Sequence, residues 1–277
     1  MSHIGILHPG AMGISVAASA VNSGNQVYWA SQGRSHKTRL RAEKHSLTEC
    51  DSLLQLCQTS EIIVSVCPPH AAEDVAKSVM QHEFKGYYLD ANAIAPQRAT
   101  KIGQMLEDNG IHFIDGGIIG GPAWKPNETW LYLSGKYANI IAECFGNGPL
   151  ETRVIGGEIG KASALKMCYA AYSKGTTALL AAILATAESL GVRNELYGQW
   201  DIDESEFSGQ ANRRVTRATA KAWRFEGEMH EIASTFQEAG LPNGFHKAAA
   251  EIYHRMAGFK DSPETPELDD VLNALLK

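Results

Sequence analysis

The sequence predicts an α/β chain: a doubly wound parallel sheet over residues 1–160, then an all-helical region over residues 161–277. Three observations carry this. Short apolar runs alternate with helical stretches throughout the first part. The chain opens with an apolar strand, a glycine-containing turn and a helix, in Ile4-Gly5-Ile6-Leu7-His8-Pro9-Gly10-Ala11-Met12-Gly13. At Lys161 the texture changes to Ala-rich sequence with no further strand pattern.

Taken in order, strands are expected at 4–7, 27–30, 62–66, 87–89 and 112–114, where apolar residues run up to turn residues. Helices are expected between them at 11–22, 36–45, 70–81 and 96–109, the first closed by Asn22-Ser23-Gly24. Two more strands, 130–133 and 153–155, flank a helix at 137–145. Alternation at this spacing gives a parallel sheet with helices on both faces. From 162 to 190 the one breaker is Gly175, so the run reads as a single long helix of about 28 residues with Gly191 as its C-cap. Segments 205–224, 227–239 and 244–257 also read as helices. Pro263 and Pro266 mark a loop before a last helix at 267–276.

Composition narrows the function. The 277 residues are 44% hydrophobic, enough for one large or two ordinary domains. A net charge of −6 gives no electrostatic case for nucleic acid or an anionic membrane as partner. No apolar run approaches the roughly 20 residues of a membrane span, and no basic-plus-apolar leader pattern opens the chain. The five cysteines lack C-x-x-C spacing, and the ten histidines form no metal-ligand cluster, so neither a disulfide framework nor a metal site is expected. The plain expectation is a cytosolic protein.

The opening turn follows the dinucleotide pattern G-x-G-x-x-G with His8 in place of the first glycine. Gly10 and Gly13 remain, so bare backbone N–H groups and a helix N-terminus are available to a pyrophosphate. His8, Pro9, Gly10, Ala11 and Met12 are the expected contacts. His8 either covers the turn or touches the pyrophosphate or ribose; Pro9 stiffens the approach. An NAD site offers a carboxylate to the ribose about 20 residues beyond the glycines. Here that place reads Ser31-Gln32-Gly33-Arg34-Ser35, with no acid before Glu43. Ser31, Gly33, Arg34 and Ser35 therefore point to the 2′-phosphate of NADP. Lys37 and Arg39 fit either that phosphate or a solvated helix face. Cys67, Pro68 and Asn92 fall at the carboxyl ends of later strands, where ligands of such sheets sit. Nothing in sequence activates Cys67, so it reads as a small packing residue beside the cofactor.

Four motifs in order then resemble one family. Gly10-Ala11-Met12-Gly13, the loop from Asp90 to Pro96, Asp115-Gly116-Gly117-Ile118-Ile119-Gly120-Gly121 and the stretch from Gly160 to Lys166 are similar to successive motifs of the β-hydroxyacid dehydrogenases. That family includes 3-hydroxyisobutyrate, tartronate-semialdehyde and 6-phosphogluconate dehydrogenases. More closely, the chain resembles a branch with a phosphogluconate-dehydrogenase-type NAD-binding domain and its own helical C-terminal domain. The resemblance covers nearly the whole chain. It implies reversible hydride transfer between NADP and a β-hydroxy acid or related alcohol, with Lys166 as the catalytic lysine. A lysine suits the task, because the alcohol proton must leave as the hydride leaves and return in the reverse direction. The resemblance also implies that Gly120 and Gly121 grip an acceptor oxygen and that Asn92 borders the substrate.

The departures from the family matter as much. Ile119 stands where relatives carry a carboxylate-binding serine. The asparagine one turn after the lysine is missing; Tyr169 and Tyr172, one and two turns beyond Lys166, either replace it in catalysis and substrate binding or pack in the core. Ser173 replaces the glutamate of the decarboxylating enzymes, which argues against 6-phosphogluconate decarboxylation. No lysine matches the one that relatives send from the helical domain; His230 faces the substrate or is solvated. The long helix implies a homodimer. An imine reductase on the same scaffold and a non-catalytic dinucleotide sensor remain as alternatives; the retained Lys166 weighs against the imine reductase.

Overall fold

A computed structural model describes residues 1–277. The chain divides into two compact units, Met1–Met167 and Cys168–Lys277. The division falls after residue 167 and not at the expected 160, because the first turns of the helix beginning at Lys161 pack on the sheet.

The first unit is an eight-stranded sheet in the order β3-β2-β1-β4-β5-β6-β7-β8. Its strands are β1 (His3–Ile6), β2 (Gln26–Ala30), β3 (Thr48–Cys50), β4 (Ile62–Ser65), β5 (Tyr87–Asp90), β6 (His112–Gly120), β7 (Thr129–Ser134) and β8 (Leu150–Gly156). Helices α1 (Ala11–Asn22), α2 (His36–Lys44), α3 (Leu53–Thr59), α4 (Ala72–Gln81), α5 (Pro96–Asp108) and α6 (Ala138–Glu143) connect them. All neighbours pair in parallel except β6 and β7. Successive strand residues face opposite sides. Ile4, Ile6, Val64, Leu89 and Ile114 pack with Ile14 and Val16 of α1 and Ile141 of α6. Ile63, Tyr88 and Phe113 pack on the other face with Leu56 of α3, Val79 of α4 and Ile102 of α5.

The first unit differs from expectation at its third strand, its third helix and its sixth strand. Strand β3 and helix α3 were not foreseen: Thr48-Glu49-Cys50 is too short and polar to show a period, and pairs only because Tyr28–Ala30 lies beside it. Ser52 caps α3, its hydroxyl accepting from the Gln55 N–H at 3.2 Å. Strand β6 runs on through Gly116-Gly117 to Gly120, although glycines ordinarily mark a strand's end. It then returns antiparallel as β7.

The long helix is not continuous. Helix α7 (Lys161–Ala170) passes through a π-turn (Ala171–Gly175) into α8 (Thr176–Ser189). In the second unit follow α9 (Arg193–Asp203), α10 (Phe207–Glu238), α11 (Gly244–Met256) and α12 (Leu268–Leu275). The π-turn disrupts the normal ladder, and side chains satisfy its carbonyls. Arg214 of α10 donates to the Ser173 carbonyl at 2.7 Å, and the Tyr253 hydroxyl of α11 donates to that of Lys174 at 2.8 Å. The Lys174 ammonium pairs with the Glu228 carboxylate of α10 and lies over the Phe225 ring at 4.6 Å. Helix α10 continues through Gly227, where two helices were expected. Its apolar stripe Ala211, Val215, Ala218, Ala222, Met229, Ile232 and Ala233 stays in phase across that glycine. Helix α9 buries no residue, which is why it left no apolar period to read. No helix is long and apolar enough to cross a membrane.

Candidate active site

The opening turn forms as a close-packed β1–α1 junction. A Cβ at Gly13 would stand 2.1 Å from the His8 carbonyl oxygen, so only glycine fits there. At Gly10 the same direction is open space. Gly10 is the N-cap of α1, no side chain caps the helix, and no acid lies in its first turn. The turn therefore offers a helix N-terminus to an anion with room for it to approach. Pro9 is buried, Met12 half-buried and Ala11 exposed. His8 is accommodated without positive φ. Burial, with Arg34 alongside, pushes its pKa down to about 4. Its ring is thus neutral, and its buried Nδ1 has no protein partner.

Arg34, in the turn after β2, reaches back to this junction, its Nη2 donating to the Leu7 carbonyl at 3.2 Å. Its Nε is buried without a partner, and burial lowers the guanidinium pKa. Ser31 is buried and Gly33 exposed. Ser35 caps α2, its Oγ accepting from the Thr38 N–H at 3.3 Å. A carboxylate does stand beside β2, delivered by the unforeseen β3. Glu49 pairs with Arg39 at 2.6 Å, and the Ser31 hydroxyl and Arg39 hold it below the usual carboxylate range. Arg39 also donates to the Ser31 carbonyl at 3.1 Å. Arg39 is thus a tie between α2, β2 and β3, whereas Lys37 is solvated. The junction of Gly10, His8 and Arg34 presents an uncapped helix end with open space beside Gly10 and a guanidinium alongside, which fits an anionic dinucleotide.

Asn92 is 2% exposed. Its Oδ1 accepts from the Cys67 N–H at 2.5 Å and its Nδ2 donates to Ser65 Oγ at 3.1 Å. It ties the ends of β4 and β5 together, shaping the loop that carries Cys67 and the exposed Pro68. Burial pushes the Cys67 thiol up to about 11, consistent with a packing role. Asp90, beneath Asn92, is driven up to about 7 by burial, with Asp115 next to it adding to the shift.

Strand β6 and helix α7 carry the remaining candidate residues. The Lys166 ammonium donates to the Ile118 carbonyl of β6. A Cβ at Gly117 would fall 2.5 Å from the Ala162 carbonyl oxygen and 3.1 Å from Lys166 Cβ, so glycine lets the helix lie directly on the strand. Ile119 is buried; Gly120 and Gly121 are exposed where β6 gives way to the loop. The first turn of α7 is satisfied from the sheet. Asp115 Oδ2 accepts from the N–H groups of Gly160 at 2.9 Å and Ser163 at 3.0 Å. Ser134 Oγ accepts from the Ala162 N–H at 3.0 Å. Sequence reasoning noted Asp115 only as a motif member and missed Ser134 and Glu49. A carboxylate inside an apolar strand was the available signal for the first, since a buried charge requires donors.

In the second unit, Tyr169 is half-exposed, Tyr172 is 70% exposed and His230 is exposed. Neither tyrosine is a core residue. Of the buried polar residues of α10, Glu228, two residues before His230, is held by Lys174.

Residues 3–141 match the family described as the NAD-binding domain of 6-phosphogluconate dehydrogenase. Residues 187–256 match a helical-region family described as a domain of unknown function, DUF1932. An uncharacterized 28.5 kDa protein of Methanothermus fervidus is 36% identical over 167 residues, 60% of this chain and 63% of that protein. The 3-hydroxyisobutyrate dehydrogenase of Pseudomonas aeruginosa is 24% identical over 209 residues, 71% of this chain and 66% of that enzyme. The chain thus spans slightly less than two thirds of the length of these curated relatives. Among solved structures, the conserved protein MTH1747, described as structurally similar to 3-hydroxyacid dehydrogenases, is 25% identical with a TM-score of 0.69 over 99% of both chains.

Proposed function

The chain belongs to the family built on the NAD-binding domain of 6-phosphogluconate dehydrogenase, and on that premise we propose that it is an NADP-dependent oxidoreductase. It moves hydride between the nicotinamide and a β-hydroxy acid or a related alcohol or carbonyl compound, with Lys166 as general acid and base. The observation that carries this reading is the β6–α7 junction. Gly117 admits the helix, the Lys166 ammonium is held on the Ile118 carbonyl, and Gly120 and Gly121 lie two and three residues further along.

The uncapped α1 N-terminus at Gly10 would hold the pyrophosphate, with Ala11 and Met12 in its first turn. Neutral His8 and the Arg34 guanidinium flank it, the latter bringing positive charge to the turn. Arg34 makes no ion pair of its own, while Glu49, the nearest acid to β2, is already engaged by Arg39 and Ser31. That balance favours a 2′-phosphate over a bare ribose diol. When bound, the nicotinamide supplies or accepts the hydride. Lys166 holds a proton at Nζ, gives it to the carbonyl oxygen in reduction and recovers it in oxidation. Apolar Ile119 limits carboxylate recognition on that wall to backbone groups, so uncharged carbonyl compounds and imines belong among the substrates tested. Tyr169 and Tyr172, both accessible, are candidates for a second donor, and the proposed assembly is a homodimer.

The test is a panel of β-hydroxy acids, alcohols, aldehydes and imines followed by NADPH absorbance. Turnover of hydroxy acids or carbonyl compounds is the expected result. Turnover of imines alone would move the reading to imine reduction, and a silent panel with tight NADPH binding would make the protein a sensor. Light scattering is expected to give twice the chain mass; a monomeric mass would refute the dimer.

A further inference from the structure

We propose that Asp115 is a positioning residue for Lys166: its carboxylate anchors the first turn of α7 to β6 and so sets where the lysine ammonium stands. This rests on the reading of Lys166 as the acid–base group.

A helix N-terminus leaves several N–H groups without intrahelical partners, and a short polar side chain just before the helix ordinarily accepts from them. Helix α7 has none. It is preceded by Gly156-Gly157-Glu158-Ile159-Gly160, and Glu158 points to solvent in a pair with Lys161 at 2.8 Å. The acceptors come instead from neighbouring strands. Asp115 and Ser134 face each other across the β6–β7 ladder, joined by Ser134 Oγ donating to Asp115 Oδ2 at 3.0 Å. Besides the Gly160 and Ser163 N–H groups on Oδ2, Asp115 Oδ1 accepts from the Ser163 hydroxyl at 2.6 Å. Asp115 is fully buried and Ser163 is 1% exposed.

A buried carboxylate is costly unless several donors face it. Gly160 stands at φ +97°, where a capping serine would be strained, so the acceptors must come from elsewhere. The acid in the strand does something a local cap cannot: it ties the helix start to the strand that receives the lysine. Lys166 lies one turn beyond Ser163, and its ammonium donates to Ile118, three residues along β6 from Asp115. Backbone origin and charged tip are therefore both referenced to one strand, the strand that continues to Gly120. With Gly117 removing the spacer between them, a slip of α7 along β6 moves the ammonium directly.

Asp115→Asn tests this, with Ser163→Ala as a milder companion. The amide keeps the volume but loses the charge and one of the two acceptor oxygens. It can still accept from the Gly160 and Ser163 N–H groups only weakly and must offer its NH2 to the Ser163 hydroxyl, which loosens the helix start. Because a misplacement of about 1 Å can cost about 100-fold in rate, kcat for Asp115→Asn is expected to fall at least about tenfold. KM and NADPH affinity should stay near the parent's. Ser163→Ala, which removes only the Oδ1 contact, should fall in between. The second readout needs no substrate: lysines are 13C-methylated and the Lys166 resonance is identified by its loss in Lys166→Arg. That resonance should shift in both variants while the other lysines hold still. An unmoved resonance with kcat near the parent's would overturn the proposal. Should Asp115→Asn fail to fold, Ser163→Ala decides by the same two readouts. If the parent turns over nothing, the oxidoreductase reading fails, and the resonance alone still accepts or rejects the positioning role.

Discussion

Replacing Gly117 with alanine perturbs one contact, and the structure sizes the result. The added methyl would sit 2.5 Å from the Ala162 carbonyl oxygen, where ordinary contact begins at 3.4 Å, so α7 and β6 must part by about 0.9 Å. The opposing atom is helix backbone, so no side chain can swing aside. The same methyl meets Lys166 Cβ at 3.1 Å. Overpacking of this kind costs about 1–3 kcal/mol. For a protein of this size each kcal/mol lowers Tm by about 2–4 °C. The displacement is close to the 1 Å that can cost about 100-fold in rate. Differential scanning calorimetry and NADPH titration on Gly117→Ala, followed by turnover, separate the effects. The expected outcome is a Tm lower by several degrees, NADPH affinity like the parent's, and a large loss of kcat. Full kcat in a folded Gly117→Ala would refute the dependence of the chemistry on the β6–α7 distance.

Arg34→Ala should weaken NADPH about 10- to 100-fold, the worth of a charge-assisted hydrogen bond of about 1.5–3 kcal/mol, and leave NADH unchanged; fluorescence titration of both cofactors checks it, and equal losses would assign Arg34 to the pyrophosphate instead. Asp90 is driven up to about 7, so its protonated form contributes stability that is complete below its unfolded value of 3.8 and is lost as pH rises through 7. Asp90→Asn, which stays neutral, should therefore gain on the parent between about pH 4 and 7 by an amount on the order of a few kcal/mol. Urea melts across that range measure it, and a constant difference would contradict the buried acid.

Much of the first unit was legible because its signals are local. The β1–α1 junction rests on Gly13, whose close approach to His8 only glycine permits, and the pattern of glycines announces it. Elements β3 and α3 were not legible, since Thr48 and Glu49 carry no apolar period and their pairing comes from β2. That omission hid Glu49, a carboxylate that β3 sets beside β2. Asp115 was read as part of a motif, but its partners lie 19, 45 and 48 residues away, so only the fold reveals its work. The π-turn is a product of donors from α10 and α11, and Gly175 alone gave no hint of it. Gly227 misled in the opposite direction: its cost of about 1 kcal/mol is outweighed by a stripe of buried residues on either side.

The central claim is that Lys166 carries the proton in a hydride transfer. Its most direct test is the turnover number of Lys166→Ala at saturating NADPH, on whichever panel compound the parent converts. A positioned acid–base group contributes about 100- to 10,000-fold, and a loss of that size with NADPH affinity intact is the predicted result. Turnover equal to the parent's would contradict the account.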